Sequence, residues 1–175
     1  MDKLSAFSSE AFNFKGLITQ NEFPSANHVH DLILNRLENV DASLSEAAFY
    51  HFKTPGKMLR AKMAIQSASL AEIDTSISLL WAAAVEVLHN ASLIHDDICD
   101  GDKQRRGRSS IWVKFGQDTA LTLGDWLIAL SFELASEAAE MSNTPRLVGI
   151  LARHMATTTA GQAMEFRWDS TQSWD

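Results

Sequence analysis

The stretch from Asp74 to Cys99 constrains the fold of this chain more than any other part of the sequence. It contains no proline and no glycine, and its apolar residues occupy nearly every side of a helix. A helix with so little polar surface is stable in a folded protein only when other elements cover it. We therefore predict a long, central and buried helix, with Asp74 or Thr75 as its N-cap.

The remaining sequence predicts further helices. Apolar residues recur at helical spacing on both sides of the central stretch, and no segment shows strand alternation of useful length. The chain has only 8 glycines and 3 prolines among 175 residues, which favours long helices over many short strands. The predicted fold is all-α, with five or six helices in a bundle. The other helices are expected within residues 25–44, 57–73, 118–141 and 146–168, with breaks at 50–56, 101–110 and 143–145.

Composition and charge exclude several classes of protein. The formal net charge is -7, whereas sequence-independent binding of nucleic acid needs a basic face. Cys99 is the single cysteine, so no intrachain disulfide forms and a reducing compartment is expected. Residues 1–16 lack the apolar core of a signal peptide, and Glu86, His89 and Asn90 interrupt the most apolar run. We predict a soluble, cytoplasmic protein with no membrane span and no nucleic-acid partner.

An acidic cluster stands at the end of the central stretch, within the segment SLIHDDICDGDKQRRG. Asp96 and Asp100 are four positions apart, so a helix places them on one face, with Asp97 beside them. Their repulsion costs about 0.2–0.5 kcal/mol on an isolated helix and more beside apolar surface. A Mg²⁺ ion shared with substrate phosphates would neutralise them. The alternative is a solvated helix end, although acidic groups oppose the helix dipole there.

A basic group follows the acidic cluster after a short polar loop. Arg105 and Arg106 carry guanidinium forks that suit phosphate oxygens. Carboxylates that bind a metal on one side and arginines on the other would together hold a diphosphate. The alternative is that these arginines only balance the aspartates through ordinary salt bridges.

Two further groups fit the same site. Lys57 and Arg60 are three positions apart and are therefore expected on one helical face, at the predicted start of a helix, where backbone N–H groups also favour anions. His89 lies seven positions before Asp96, which is about two helical turns and places both on one side. The alternatives are an ordinary basic helix face for the first pair and a core histidine for His89.

These motifs, in this order, resemble the trans-isoprenyl diphosphate synthases, also called polyprenyl synthetases. The resemblance covers about residues 50–168. It is carried by GKMLR, VEVLHNASLIHDDICD, RRG, FGQDTALTLGDWLIALSF and AGQAMEF. It implies a helical bundle of the isoprenoid synthase type, which elongates an allylic diphosphate by condensation with isopentenyl diphosphate.

The resemblance also implies a role for each residue that matches a family motif. Asp96 and Asp100 correspond to the Mg²⁺ ligands that hold the allylic diphosphate, with Asp97 assisting. Arg105 corresponds to the arginine that binds the allylic diphosphate, and Gln162 to a glutamine near the same site. The residues that correspond to isopentenyl diphosphate contacts are Gly56, Lys57, Arg60, His89 and Arg106. Catalytic roles fall to Asp96, Asp97, Asp100 and Arg105.

The same family implies a tunnel for the growing product. Magnesium and arginine stabilise the leaving diphosphate, isopentenyl diphosphate attacks the carbocation, and a proton is lost. Bulky residues just before the first aspartate block the tunnel in members with short products. Ala91 and Ser92 occupy those positions here and are small, which favours a product of medium or greater length.

The match leaves part of the family pattern unaccounted for. We expect a leader over residues 1–25 and a domain over residues 26–175 that corresponds to the N-terminal half of the family, truncated before the second aspartate-rich motif. The chain is interpreted as a fragment, a subunit of a split enzyme, or a non-catalytic relative that binds diphosphates or a partner chain. A class I terpene synthase is a further alternative. A homodimer is expected from the family.

Overall fold

The computed structural model describes residues 23–169 as a helical bundle around the predicted central helix. The predicted leader lies outside the described residues, apart from its last three positions. The all-α fold is confirmed, with seven helices in the described part and one pair of two-residue antiparallel strands. The helices are α1 (Ala26–Leu37), α2 (Ala42–Phe52), α3 (Leu59–Leu70), α4 (Thr75–Cys99), α5 (Ile111–Phe115), α6 (Gln117–Met141) and α7 (Arg146–Asp169), and the strands are β1 (Gln104–Arg105) and β2 (Arg108–Ser109).

Helix α4 is the central element, as the sequence predicts. Its N-cap is Asp74, whose side chain accepts a hydrogen bond from the backbone N–H of Ser76 at 2.8 Å. Its most extensive packing is against α6. The fully buried large apolar side chains of this pair are Leu79, Leu80, Val87, Ile94, Leu123, Leu127 and Leu134.

The remaining helices cover other sides of this pair. Helix α1 packs on α4 and is tied to α6 by Arg36, whose guanidinium donates to both carboxylate oxygens of Glu137 at 2.7 and 2.6 Å. Helix α3 packs on α4, and α7 packs on α6 through residues around Leu151. By length and composition α4 alone among the described helices could cross a membrane, yet 61% of its most apolar window is buried by its neighbours.

Two of the predicted boundaries, both next to α2, are wrong. The helix expected over residues 25–44 is two helices, because Asp41 caps α2 by accepting from the backbone N–H of Ser43 at 2.9 Å. The break expected from residue 50 begins at Lys53 instead, because the last turn of α2 extends to Phe52. Capping at Asp41 is a local hydrogen bond that competes with continuation of α1.

Two short elements were not predicted. The expected polar loop over residues 101–110 contains the β1–β2 hairpin, whose turn residues Arg106 and Gly107 have φ values of +55° and +74°. Two consecutive positive φ values are typical of the type I′ turn that suits the twist of a tight hairpin. Strands of two residues and the five-residue α5 are too short for periodicity to reveal.

Gly124 of α6 leaves room for the ring of His95 on α4. A Cβ placed at Gly124 would lie 2.1 Å from Nε2 of His95, which is far inside van der Waals contact. We predict that Gly124→Ala displaces the His95 ring and lowers the free energy of unfolding by about 1 kcal/mol, because the overpacking outweighs the gain in helix propensity. Denaturant unfolding monitored by circular dichroism measures the change.

Gly149→Ala is the matched control, because a Cβ at this exposed α7 position meets nothing within 4 Å. It should leave stability unchanged or raise it by roughly 0.5–1 kcal/mol through helix propensity. Adding His95→Ala to Gly124→Ala should recover most of the loss. An equal loss with and without the His95 ring would contradict the predicted clash.

His51 forms the buried polar contact between α2 and α4. It is 8% exposed, and its Nε2 lies 3.0 Å from Oδ1 of Asn90. Because Oδ1 only accepts, Nε2 is assigned the proton and donates. Burial has the largest effect on the pKa of His51; with the added effect of nearby arginines, and against the opposing effect of the Asn90 hydrogen bond, the pKa is lowered to about 4. The ring is therefore neutral at pH 7.

We predict that His51 makes stability fall as the pH falls from about 6.5 to about 4. In this range the unfolded chain binds a proton that the folded chain does not bind, so ΔG of unfolding rises with pH. The shift from 6.5 to about 4 corresponds to about 3 kcal/mol over the whole range. Urea unfolding at several pH values should show a smaller slope for His51→Gln than for the wild type. Equal slopes would contradict the prediction.

Candidate functional site

Three aspartates at the C-terminal end of α4 face different surroundings. The backbone N–H of Asp100 donates to the carbonyl of Asp96 at 2.8 Å, so these two residues are one helical turn apart, as predicted. Asp96 is half-buried and Asp100 is exposed, whereas Asp97 is only 1% exposed. The cluster therefore divides into an open pair, Asp96 and Asp100, and one buried carboxylate.

The open pair fits a hard divalent cation. Burial raises the pKa of Asp96, and the negative charge of Asp100 raises it further. Neither carboxylate has a cationic partner within 4.0 Å in the described part of the chain. Among residues 23–165 no third His, Cys, Asp or Glu joins them in a group that could hold a metal. Mg²⁺ is commonly held by one or two carboxylates together with water and phosphate oxygens.

Asp97 instead pairs with Arg105. Nε of Arg105 donates to Oδ1 of Asp97 at 2.8 Å, and Nη2 donates to the same oxygen. Burial raises the pKa of Asp97, and this hydrogen bond counteracts the shift. Nη2 also lies 3.5 Å from a carboxylate oxygen of Asp102. The alternative, an ordinary salt bridge to an aspartate, is therefore correct in part for Arg105. This salt bridge also orients the guanidinium of Arg105 beside the open pair.

Arg106 makes no comparable pair with an aspartate in the described part of the chain. Its Nη1 donates to the carbonyl of Thr54 at 2.7 Å, and its Nη2 donates to Oδ1 of Asn90 at 3.2 Å. The guanidinium lies against Gly56, where an added Cβ would be 2.9 Å from Nη2. A side chain at Gly56 would therefore displace Arg106.

The arginine hairpin, defined as residues 104–109, is anchored to α2. Nη1 of Arg108 donates to the carbonyl of Tyr50 at 3.0 Å, and its guanidinium carbon lies 3.8 Å from the centre of the Tyr50 ring. The Tyr50 hydroxyl donates to the carbonyl of Ser109 at 3.0 Å. These contacts anchor the hairpin to α2 in addition to the hydrogen bonds that Asp97 and Asn90 make with Arg105 and Arg106.

The α3 start, defined as residues 57–60, supplies the second basic segment. Helix α3 begins at Leu59, and Met58 before it has φ +48°, in the left-handed region. The expectation that Lys57 and Arg60 share a helical face is therefore wrong, because Lys57 precedes the helix. Both side chains are exposed and are available to an anion from solvent.

His89 lies where the two basic segments approach α4. Desolvation, together with the positive charges of Arg60, Arg106 and Arg105, lowers the pKa of this half-buried ring to about 4. These charges come from the α3 start and from the arginine hairpin. His89 is therefore neutral at pH 7 and can donate one hydrogen bond to an anion.

Gln162 is the predicted site residue that stands apart. It is half-buried on α7, which packs on α6, and it takes no part in the hydrogen bonds that build the cluster. Its role near the allylic diphosphate stays a prediction.

Sequence reasoning missed the buried polar residues that hold the two basic segments. Glu86 is 4% exposed and Asn90 is 2% exposed, although the sequence suggests only that they interrupt an apolar run. Their spacing carried a signal, because Glu86, Asn90 and Asp97 recur on one face of a helix. Thr54 accepts the hydrogen bond of Arg106 through its backbone carbonyl, so the identity of its side chain gave no indication of this role.

Comparisons with known proteins agree with this geometry. The polyprenyl synthetase family profile matches residues 41–175. Geranylgeranyl diphosphate synthase of Saccharolobus solfataricus is 36% identical over 147 residues, covering 82% of this chain and 44% of that protein. The short chain isoprenyl diphosphate synthase of Methanocaldococcus jannaschii is 33% identical over 130 residues, covering 74% and 40%.

Solved structures share the fold. The geranylgeranyl pyrophosphate synthetase from the archaeon Geoglobus acetivorans superposes with a TM-score of 0.76 at 33% identity, covering 84% of this chain and 49% of that one. An isoprenoid synthase family member from Thermotoga neapolitana gives a TM-score of 0.75 at 25% identity. The chain spans less than half the length of the two curated relatives described above. The profile match covers most of the chain and includes the three aspartates and both basic segments, so this chain belongs to the polyprenyl synthetase family.

Proposed function

We propose that this chain carries the diphosphate-binding half of a Mg²⁺-dependent trans-prenyltransferase. The whole enzyme condenses isopentenyl diphosphate with an allylic diphosphate to give a longer polyprenyl diphosphate. The main support is that cationic groups from the α3 start and the arginine hairpin converge at His89, and that one of them, Arg105, also lies near Asp96 of the open carboxylate pair. This arrangement suits a substrate that carries many negative charges and shares a metal.

Asp96 and Asp100 would hold Mg²⁺ in this proposal. When bound, Mg²⁺ supplies positive charge that stabilises the leaving diphosphate. The support is the like-charge repulsion between the two carboxylates. Desolvation has the largest effect in raising the pKa of Asp96, and the negative charge of Asp100 has the second largest. Asp97 has a different task, because it is buried and orients Arg105.

The basic residues divide between two diphosphates. Arg105 binds the allylic diphosphate next to the open pair, and Gln162 lies near the same substrate. Lys57, Arg60 and His89 bind isopentenyl diphosphate. Arg106 joins this second group, and Gly56 leaves room for its guanidinium.

The residues of this chain favour loss of diphosphate in a specific way. Guanidinium groups that are already oriented stabilise the negative charge that develops on the leaving oxygen, with little reorganisation. Arg105 is oriented by Asp97, and Arg106 by Thr54 and Asn90. The apolar faces of the bundle would exclude water from the carbocation, and the small Ala91 and Ser92 would leave room for a longer chain.

The second half of the site is expected from outside the described residues. The two curated relatives are more than twice as long as the part that this chain matches, so residues 26–175 are proposed as the N-terminal half of the domain. A cytoplasmic homodimer is proposed for the whole protein. A split-enzyme or non-catalytic subunit that binds diphosphates is the second candidate, because the same length ratio favours it equally. The relatives named as chain-elongating synthases argue against a terpene synthase.

We predict that inorganic diphosphate binds to the chain and that Mg²⁺ strengthens this binding. Asp96→Asn and Asp100→Asn should each weaken the Mg²⁺-dependent part by roughly 10-fold or more, because each removes one of two carboxylate ligands. Isothermal titration calorimetry with and without Mg²⁺ measures the difference. Glu140→Gln is the control, because this exposed carboxylate lies sixteen residues beyond Gly124, about 24 Å along α6. An equal effect in the control would contradict the proposed ligands.

We also predict elongation of farnesyl diphosphate by labelled isopentenyl diphosphate in the presence of Mg²⁺, with the product lost in Asp96→Ala. Thin-layer chromatography of the labelled products measures it. Metal-dependent binding of diphosphate without product would favour the subunit hypothesis. Absence of both product and binding would overturn the proposed function.

A further inference from the structure

Glu86 and Asn90 lie one helical turn apart on the buried side of α4, and each contacts a different basic segment. They are 4% and 2% exposed. Polar side chains this deeply buried require hydrogen-bond partners, and a buried charge especially so. Their partners therefore indicate what the two residues do.

Glu86 holds the α3 start. Its Oε2 accepts a hydrogen bond from the backbone N–H of Ala61 at 3.2 Å. Ala61 is the third residue of α3, so this N–H has no acceptor within its own helix. A carboxylate is also favourable at the positive end of a helix dipole. Glu86 thus fixes the helix end that carries Arg60 and follows Lys57.

Asn90 holds the arginine hairpin. Its Oδ1 accepts from Nη2 of Arg106 at 3.2 Å and from Nε2 of His51 at 3.0 Å. Its Nδ2 donates to the carbonyl of Glu86 at 2.8 Å. This donor bond sets the orientation of the amide, so the oxygen faces Arg106. An aspartate at this position would lack the donor.

The two contacts are connected through a single turn of α4. The carbonyl of Glu86 orients Asn90, while the side chain of Glu86 binds Ala61. The buried charge of Glu86 also acts on Arg106. Burial lowers the pKa of this guanidinium, and the attraction of Glu86 opposes the shift. A displacement of this turn would therefore affect both basic segments together.

We propose that Glu86 and Asn90 are positioning residues that hold the α3 start and the arginine hairpin at a fixed spacing as one coupled unit. Neither side chain is expected to touch substrate. The inference rests on the proposed function of these segments in binding diphosphate. Beyond that function, the inference assigns to Glu86 and Asn90 the role of setting the distance between the two basic segments.

The first test measures binding of inorganic diphosphate in the presence of Mg²⁺ by calorimetry. Glu86→Met and Asn90→Leu should each weaken binding roughly 10-fold, because each removes a buried hydrogen bond that orients a cation. Glu86→Gln keeps an acceptor for Ala61 and should stay within about 3-fold of the wild type. Ser78→Ala is the matched control, because Ser78 is buried on the same helix and its hydroxyl has no hydrogen-bond partner in the described part of the chain.

The second test needs no ligand and measures the coupling by NMR. Hydrogen exchange at the amide of Ala61 should be roughly 10-fold faster in Glu86→Met and also clearly faster in Asn90→Leu. The Nε–H signal of Arg106 should shift in Asn90→Leu and also in Glu86→Met. Glu86→Gln should restore most of the protection at Ala61, and Ser78→Ala should change neither signal.

The outcomes separate this inference from the proposed function. If the wild type does not bind diphosphate but the coupling is present, the proposed function fails and the positioning unit stands. If the wild type binds and both variants behave as Ser78→Ala does in both tests, the inference is overturned. The coupling of the two segments would also be refuted if binding weakens but Asn90→Leu does not change exchange at Ala61 and Glu86→Met does not shift the Nε–H signal of Arg106. If Glu86→Met does not fold, Asn90→Leu carries the comparison with Ser78→Ala, and the faster exchange expected at Ala61 in Asn90→Leu is then the decisive transmitted change.

Discussion

The close packing of α4 against α6 determines where the groups of the candidate site lie. Gly124 lets the ring of His95 approach α6, and the leucines of both helices fill the interface below. Interiors are packed as densely as organic crystals, so the axis and rotation of α4 have little freedom. The rotation that buries its apolar residues also turns Asp97 inward and leaves Asp96 and Asp100 outside. The separation of the acidic cluster into open and buried members thus follows from core packing.

The basic side of the site depends on polar groups within the same core. Two arginines of the hairpin are each held by a buried side chain: Arg105 by Asp97, and Arg106 by Asn90, with the carbonyl of Thr54 as a further acceptor for Arg106. Burying such groups is unfavourable unless their hydrogen bonds are made, so each of them also restrains its partner. The cations are therefore oriented before any anion binds, which lowers the cost of ordering them on binding.

The sequence predicted the parts that long-range periodicity and simple capping control. The central helix and the all-α fold were correct because a long apolar stretch without proline or glycine favours a buried helix, and Asp74 was one of the two predicted caps. The division at Asp41, the arginine hairpin and α5 were missed because one hydrogen bond or a few residues decide them. Helical spacing placed Asp96 beside Asp100 correctly, whereas it failed for Lys57, since Met58 leaves the helical region. Burial of Glu86 and Asn90 could not be predicted in detail, because it depends on which face α3 and the hairpin cover.

Arg106 occupies a position where the backbone favours another residue. Its φ of +55° lies in the left-handed region, and with Gly107 it forms a turn for which Asn-Gly is the preferred pair. Asparagine here would relieve local strain but could not reproduce the contacts of the guanidinium with Thr54 and Asn90. A search for heat-tolerant variants that scores stability alone would therefore tend to select against the binding group. At this one turn, improving the scaffold and preserving the site are opposed aims of protein engineering.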